Sequence, residues 1–377
     1  MATSSTMSLF LVDDQHILFA FNSRALMRRV PDDPPEDDDQ IVTALLLEVP
    51  PKGTTDAKVL ARTEWRLHDH ARYLWPMRHG RFLLRQGLEL RVLAPVEHLH
   101  TEQPLSTRLL MTMTNPPASI QISPDGELMV LQTVGVSAET GASASQDKQR
   151  MEIEGVEKSF DVQFIELNAN VKSVDQLAYR IGGEQHSPYP LEVPITPKGY
   201  LRSVRRGEDL WHFTFGPAVA GAERKDLFDF ISTCRPREEF VSDEEFLLGG
   251  CKRQPGQRLI GMYAIDGKEL WRQDYAEPQV AETVMYADEA KRIAMSQIQT
   301  KFPLMAGEPL FVETTVAQRI RVIETRSGKE LLRVDVVPMQ ADPSNFAISP
   351  DGRKLAVVNQ DAIEIYDLPP PEGTPTH

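Results

Sequence analysis

Residues 266–274 read DGKELWRQD, and the phrase returns as SGKELLRVD at residues 327–335, with Gly, Lys, Glu, Leu, Arg and Asp in register. Upstream, Arg258-Leu259 and Arg319-Ile320 open apolar-rich segments at the same offset from the glycine. An Asp-Gly pair between apolar runs is a strong short-range hairpin signal; here Tyr263-Ala264-Ile265 precedes it and Leu270-Trp271 follows. A second pair of phrases is ISPDGELMVL at 122–131 and ISPDGRKLAVV at 348–358. In SPDG the proline presets φ for the second turn position and Asp-Gly completes the turn. β-rich runs flank both copies: Ile120 to Ile122 and Leu128 to Leu131 in one, Phe346 to Ile348 and Leu355 to Val358 in the other. One module is therefore a meander of strand, SPDG-like turn, strand, loop, strand, DGK-like turn, strand.

Reading outward from these anchors places seven first strands, starting near Ser8, Ala71, Ser119, Tyr189, Glu239, Thr283 and Asn345. Their spacing is irregular and exceeds the roughly 40–50 residues of a bare four-stranded blade. The excess falls in three insertions, at 31–40, 139–157 and 301–308. Helical periodicity is scarce. Only Glu223 to Phe230 could form a short helix, and its phenylalanine spacing fits a strand equally well. The expected fold class is all-β.

Repeated meanders of this kind resemble a β-propeller, in which radial packing of blades leaves only short protected edges. The SPDG turn is similar to that of WD-repeat and related bacterial surface-repeat propellers. The DGKELW hairpin is similar to the repeat of quinoprotein-type propellers. The resemblance is one of fold and covers nearly the whole chain. The Trp-Asp dipeptide of true WD-repeats is replaced by Tyr366-Asp367 in the last unit and Ala264-Ile265 in the fifth. It implies one propeller domain over 1–377, with seven blades of antiparallel four-stranded sheets and a flexible tail at 369–377. Limited proteolysis is expected to nick within 31–40 or 139–157 while the pieces stay associated. The last blade has runs at Phe346 to Ser349, Leu355 to Val358 and Ile363 to Leu368, then ends in PPPEGTPTH, which cannot pair as an inner strand. The first seven residues are short and polar. A three-stranded last blade is expected, or a native start upstream of Met1.

The 377 residues are 41% hydrophobic and 25% charged, as in a globular protein with ample core. Forty-one basic residues against 55 acidic ones give a net charge of -14. That balance disfavours nucleic acid or anionic lipid as the main partner, since both need a basic face. No window approaches 18 consecutive apolar residues. Met1 to Ser8 carries no basic residue, and the apolar stretch after it is broken by Asp13 and Asp14, so no signal peptide is visible. The visible start points to the cytoplasm.

Two histidine pairs, His68-x-His70 and His98-x-His100, have metal-like spacing, because positions i and i+2 of a strand share one face. His68 and His70 precede the first strand of the second blade; His98 and His100 lie in a segment that reads as an outer strand or its loop. The third and fourth ligands would have to come from other blades, and no metal site is assigned. Asp32 to Asp39 holds six carboxylates in eight positions. It lacks the alternating spacing and mid-loop glycine of a calcium loop and reads as a solvated insertion. Gly-x-Ser-x-Gly, His-Glu-x-x-His and Gly-rich phosphate loops are absent. Trp271 reads as a blade-packing aromatic, not as part of a quinone enzyme, and no cofactor is expected. Phe10, Phe19, Phe21, Phe213 and Phe215 fall on alternating strand positions and read as core. Arg202, Arg205 and Arg206 form one small basic cluster beside Trp211 and His212, read as a solvated strand edge.

Cys234 and Cys251 are the only cysteines. Pairing Val241 with Phe246 across the intervening hairpin brings both cysteines to the same end, nearly in register, within reach of a disulfide. Two unpaired thiols is the alternative, since cytosolic disulfides are rare. The bridge would go with export to an oxidising compartment, whose signal a truncated start would have removed. The functional expectation is a non-enzymatic, monomeric propeller that binds a protein or peptide partner, with no catalytic residue assigned. The alternative is a propeller hydrolase or lactonase with a metal in the central channel.

Overall fold

A computed structural model describes residues 7–25, 40–67, 72–134, 160–167, 178–180, 185–187, 193–218, 222–254, 256–275, 279–287, 289–302, 314–336, 345–360 and 362–371. They form seven antiparallel meanders arranged as the blades of a β-propeller. The first strands of the blades are Met7–Leu11, Leu74–Met77, Pro117–Ile122, Ile195–Thr196, Arg237–Phe240, Gln279–Ala287 and Phe346–Ile348. The first strands of blades 1 and 6 both approach that of blade 7, which places first strands innermost, around the axis. Six blades have four strands or more; in blade 3 the short strands Ala178–Arg180 and Gln185–Ser187 both pair with Phe160–Leu167. Blade 7 has three among the described residues, Phe346–Ile348, Lys354–Asn359 and Ala362–Asp367.

The four expected starts Ser8, Ser119, Glu239 and Thr283 lie inside inner strands, and Asn345 lies just before one. Those at Ala71 and Tyr189 lie outside the described residues. The ambiguous segment at 223–230 resolves as the strand Lys225–Ile231. Its partner across the sheet requires extended backbone, and Phe228 and Phe230, two residues apart, leave the strand on the same face of the pleat, where both meet Phe213 and Tyr263.

Both repeated phrases occupy equivalent places. SPDG joins the first and second strands of blades 3 and 7, and the DGKELW and SGKELL phrases join the third and fourth strands of blades 5 and 6. In the blade 3 turn, Gly126 N–H donates to Ser123 O at 2.8 Å and Leu128 N–H donates to Ser123 Oγ at 2.9 Å. The turns also dock blades. Gly328 has φ +68, and a Cβ there would stand 2.9 Å from Cγ of Trp271 in the preceding blade. Trp271 lies over that turn and donates from Nε1 to Thr325 O at 2.6 Å. It is the blade-packing aromatic of its interface.

Apolar layers fill the spaces between blades. Trp75, Leu83 and Leu90 of blade 2 meet Met129, Leu131 and Ile165 of blade 3. Leu247, Ile260 and Met262 of blade 5 meet Val284, Ile293 and Met295 of blade 6. Leu9, Leu11 and Ile17 of blade 1 meet Ala347, Ala356 and Val358 of blade 7, so the ring closes by packing. Each such leucine or isoleucine taken from water contributes about 1.5–3 kcal/mol. Phe10 and Phe213 are buried, while Phe19, Phe21 and Phe215 are half-buried.

In blade 5 the register differs by one residue from expectation. Phe240, not Val241, faces Phe246. The hairpin closes through Glu245 O, which accepts from Val241 N–H at 3.0 Å and from Ser242 N–H at 3.3 Å, so Val241 belongs to the turn.

Candidate functional site

Strand connectivity sorts the loops onto two faces. In a four-strand meander, first-to-second and third-to-fourth turns leave one face; second-to-third loops and the connectors between blades leave the other. The insertions containing 31–40, 139–157 and 301–308 each join the second and third strands of their blade, in blades 1, 3 and 6. All three therefore leave one face, opposite the SPDG and DGK turns.

Arg72 lies just before the inner strand of blade 2. Its Nε donates to Leu74 O at 3.1 Å and its guanidinium lies 5.6 Å from the Trp75 ring centroid. It remains exposed to solvent. Surrounding protein nevertheless desolvates it and lowers its pKa below the ordinary arginine value, while Tyr286 and Glu239 raise it and Arg237 lowers it further. Those three residues belong to the inner strands of blades 6 and 5.

Arg237 and Glu239 also line a cavity of about 220 Å³ between blades 5 and 6. Arg235, Arg258, Tyr275 and Gln297 complete its polar wall. Arg237 opens the first strand of blade 5, Arg258 opens the third and Tyr275 closes the fourth, so the cavity lies toward the face of the insertions. Behind it the buried Arg321 donates from Nη1 to Tyr275 Oη at 3.1 Å and to Gln297 Oε1 at 3.3 Å. Its Nε pairs with Glu330. Burial is the main force raising the Tyr275 pKa, which keeps the phenol neutral.

The two cysteines are bonded as a disulfide, with Cα atoms 5.4 Å apart. Cys234 lies in the connector into blade 5, and Cys251 ends that blade's second strand. Ser232 Oγ ties the two segments, accepting from Cys251 N–H at 3.0 Å and donating to Cys234 O at 2.7 Å. Arg258 Nη1 donates to Cys251 Sγ at 3.0 Å. The bridge thereby forms part of the cavity wall.

The other residues singled out in the sequence lie elsewhere. His98 and His100 sit in the loop after Glu89–Leu93, where Thr101 N–H donates to His98 O at 2.9 Å, so the strand geometry that would align them is missing. His68, His70 and the acidic run at 32–39 lie outside the described residues. Among the described residues no three His, Cys, Asp or Glu side chains cluster as a metal site. Arg205 closes its own hairpin: Nε donates to Gly207 O at 3.1 Å and the guanidinium lies 5.9 Å from the Trp211 ring centroid. Arg202 and Arg206 are exposed on the same blade. His212, beside them, is held between Asp229 at 2.7 Å and Asp226 at 2.9 Å. Those hydrogen bonds, Asp226 first, raise its pKa.

Sequence reading assigned no site role to Arg72, Arg258, Tyr275 or Gln297; Arg258 and Tyr275 face each other across adjacent strands of blade 5, and the packing of blade 6 brings Gln297 to them. A signal existed for Arg237 and Glu239. The segment RPREEF at 235–240 puts charged residues on an inner strand, where the other blades are mainly apolar.

No protein-family model matches the chain, and no curated protein matches it in sequence. Among solved structures, Pyrococcus horikoshii acylaminoacyl peptidase superposes with a TM-score of 0.52 at 10% identity, over 96% of this chain and 51% of that one. The chain thus spans about half the length of that peptidase. An uncharacterised protein of Listeria monocytogenes gives 0.51 at 9% identity, over 99% of this chain and 97% of that one. The C-terminal WD40 domain of Sif2 gives 0.49 at 8% identity, over 96% and 97%. At these identities the likeness is one of fold. No helix among the described residues is long and apolar enough to cross a membrane.

Proposed function

We propose that this protein is a non-enzymatic β-propeller that holds a protein or peptide partner on the face from which its insertions leave. One observation carries the reading: the three insertions lie in separate blades, yet connectivity sends all of them to one face. Loops on a rigid scaffold are where binding residues concentrate. The fold itself does not choose between binding and catalysis, because one architecture hosts both. The test replaces 32–39 and 139–157 by short Gly-Ser linkers and compares proteins captured by the variant and the intact chain. A control variant, K268Q/K329Q, alters only the opposite face. The reading expects a partner retained by the intact chain and the control and lost from the shortened variant, with melting temperatures matched. Retention of the same partners after both loops are shortened would refute it.

A further inference from the structure

Three guanidiniums, those of Arg235, Arg237 and Arg258, share the wall of the cavity between blades 5 and 6 with a single carboxylate, Glu239. In a chain of net charge -14 this is a local excess of positive charge. Leu247, Leu259, Ile260 and Val284 supply an apolar lining. The polar groups are pre-positioned. Arg321 holds Tyr275 and Gln297, Arg258 rests on Cys251 Sγ, and the disulfide anchors the connector that carries Arg235.

A guanidinium matches a carboxylate through two parallel hydrogen bonds. Apolar walls favour an organic body over a strongly hydrated inorganic ion, which would lose its water there. Glu239 pairs with Arg237, Oε2 to Nη2 at 3.4 Å, and further opposes a dianion, while three arginines against one carboxylate leave the lining positive toward a monoanion. The volume of about 220 Å³ is smaller than pockets for drug-sized ligands. We propose that this cavity binds a carboxylate carried on a short apolar body, with the guanidiniums taking the carboxylate and the apolar lining taking the body. A free short-chain acid and the C-terminal residue of a peptide present this same chemistry. The site is independent of the partner reading above and would stand if the insertions bound nothing.

The experiment is calorimetric titration of the unreduced full chain at constant ionic strength. The probes are isovalerate, the tripeptide Gly-Gly-Leu, the same tripeptide amidated, and inorganic phosphate. The proposal expects saturable binding of isovalerate, of the free tripeptide, or of both, and the pattern identifies the source of the carboxylate. The amide and phosphate should bind about tenfold more weakly or worse, matching loss of a charge-assisted hydrogen bond. R237Q should weaken the binding probe by a similar factor. R235Q, at an exposed connector position, makes the same test should R237Q not fold. Absence of saturation by both carboxylate probes at millimolar concentration overturns the proposal. So does phosphate or amide binding as tight as the carboxylates, or wild-type affinity in a folded R237Q or R235Q.

Discussion

Replacing Gly352 by alanine tests whether the SPDG turn is a docking element between blades as well as a local turn. Gly352 has φ +66, and a Cβ there would lie 2.3 Å from Ala290 Cβ and 3.1 Å from Arg292 Cδ of blade 6. Carbon atoms prefer separations of about 3.5–4.0 Å, so the overlap exceeds an ångström and the turn must retreat. Retreat strains the bond from the buried Arg292 Nη1 to Gly352 O, 2.5 Å long. Left-handed backbone costs alanine about 1–2 kcal/mol, and overpacking adds about 1–3 kcal/mol. We therefore expect a loss of about 3–4 kcal/mol. Gly53 is the control: its φ is +87, but nothing lies within 4 Å of its Cβ position. G53A should lose only the backbone contribution, about 1 kcal/mol. Urea unfolding measures both. With an unfolding entropy of about 2 cal/mol/K per residue, G352A should also melt about 4–5 °C lower and G53A about 1 °C lower. Equal losses in the two variants would show that the contact between blades contributes nothing.

W271A should lose about 3 kcal/mol, because the indole packs on the blade 6 turn and donates to Thr325 O; a loss under 1 kcal/mol in urea would contradict that. Reduction of the Cys234–Cys251 bridge, which spans 17 residues, should destabilise by about 3 kcal/mol, and two reactive thiols in denatured, unreduced protein would eliminate the bridge. The raised pKa of His212 predicts a pH-dependent contribution. It is complete below the ordinary value of 6.5 and is lost as pH rises through the folded-state pKa. H212Q should flatten stability against pH above 6.5, and an unchanged slope would reject the assignment.

The hairpins were legible because their determinants are local. Proline, Asp-Gly and alternating β-rich runs act within a few residues, so SPDG and DGKELW announce their turns wherever they occur. The proximity of Cys234 and Cys251 was legible for the same reason, as both belong to one short hairpin. Its register was less so. Val241 and Phe240 both suit a strand, and the choice depends on which carbonyl closes the turn. Whether His98 and His100 share a face was not legible, because their segment read as an outer strand or its loop, and the structure has a loop, where that spacing does not align side chains.

The amino-acid sequence by itself determined an all-β chain of seven repeated meanders, the last with three strands among the described residues, since strand periodicity and turn chemistry are encoded in neighbouring residues. Only the tertiary structure decided what meets what. Glu239 and Tyr286 of blades 5 and 6 act on the charge of Arg72 in blade 2 because the ring closes. Gln297 joins the paired Arg258 and Tyr275 in one cavity because blades 5 and 6 pack through Ile260, Val284 and Met295. Those contacts join residues far apart in the chain, and they depend on the rotation of one blade against the next. That rotation is set by the fit of whole apolar faces, to which no short stretch of sequence is a guide.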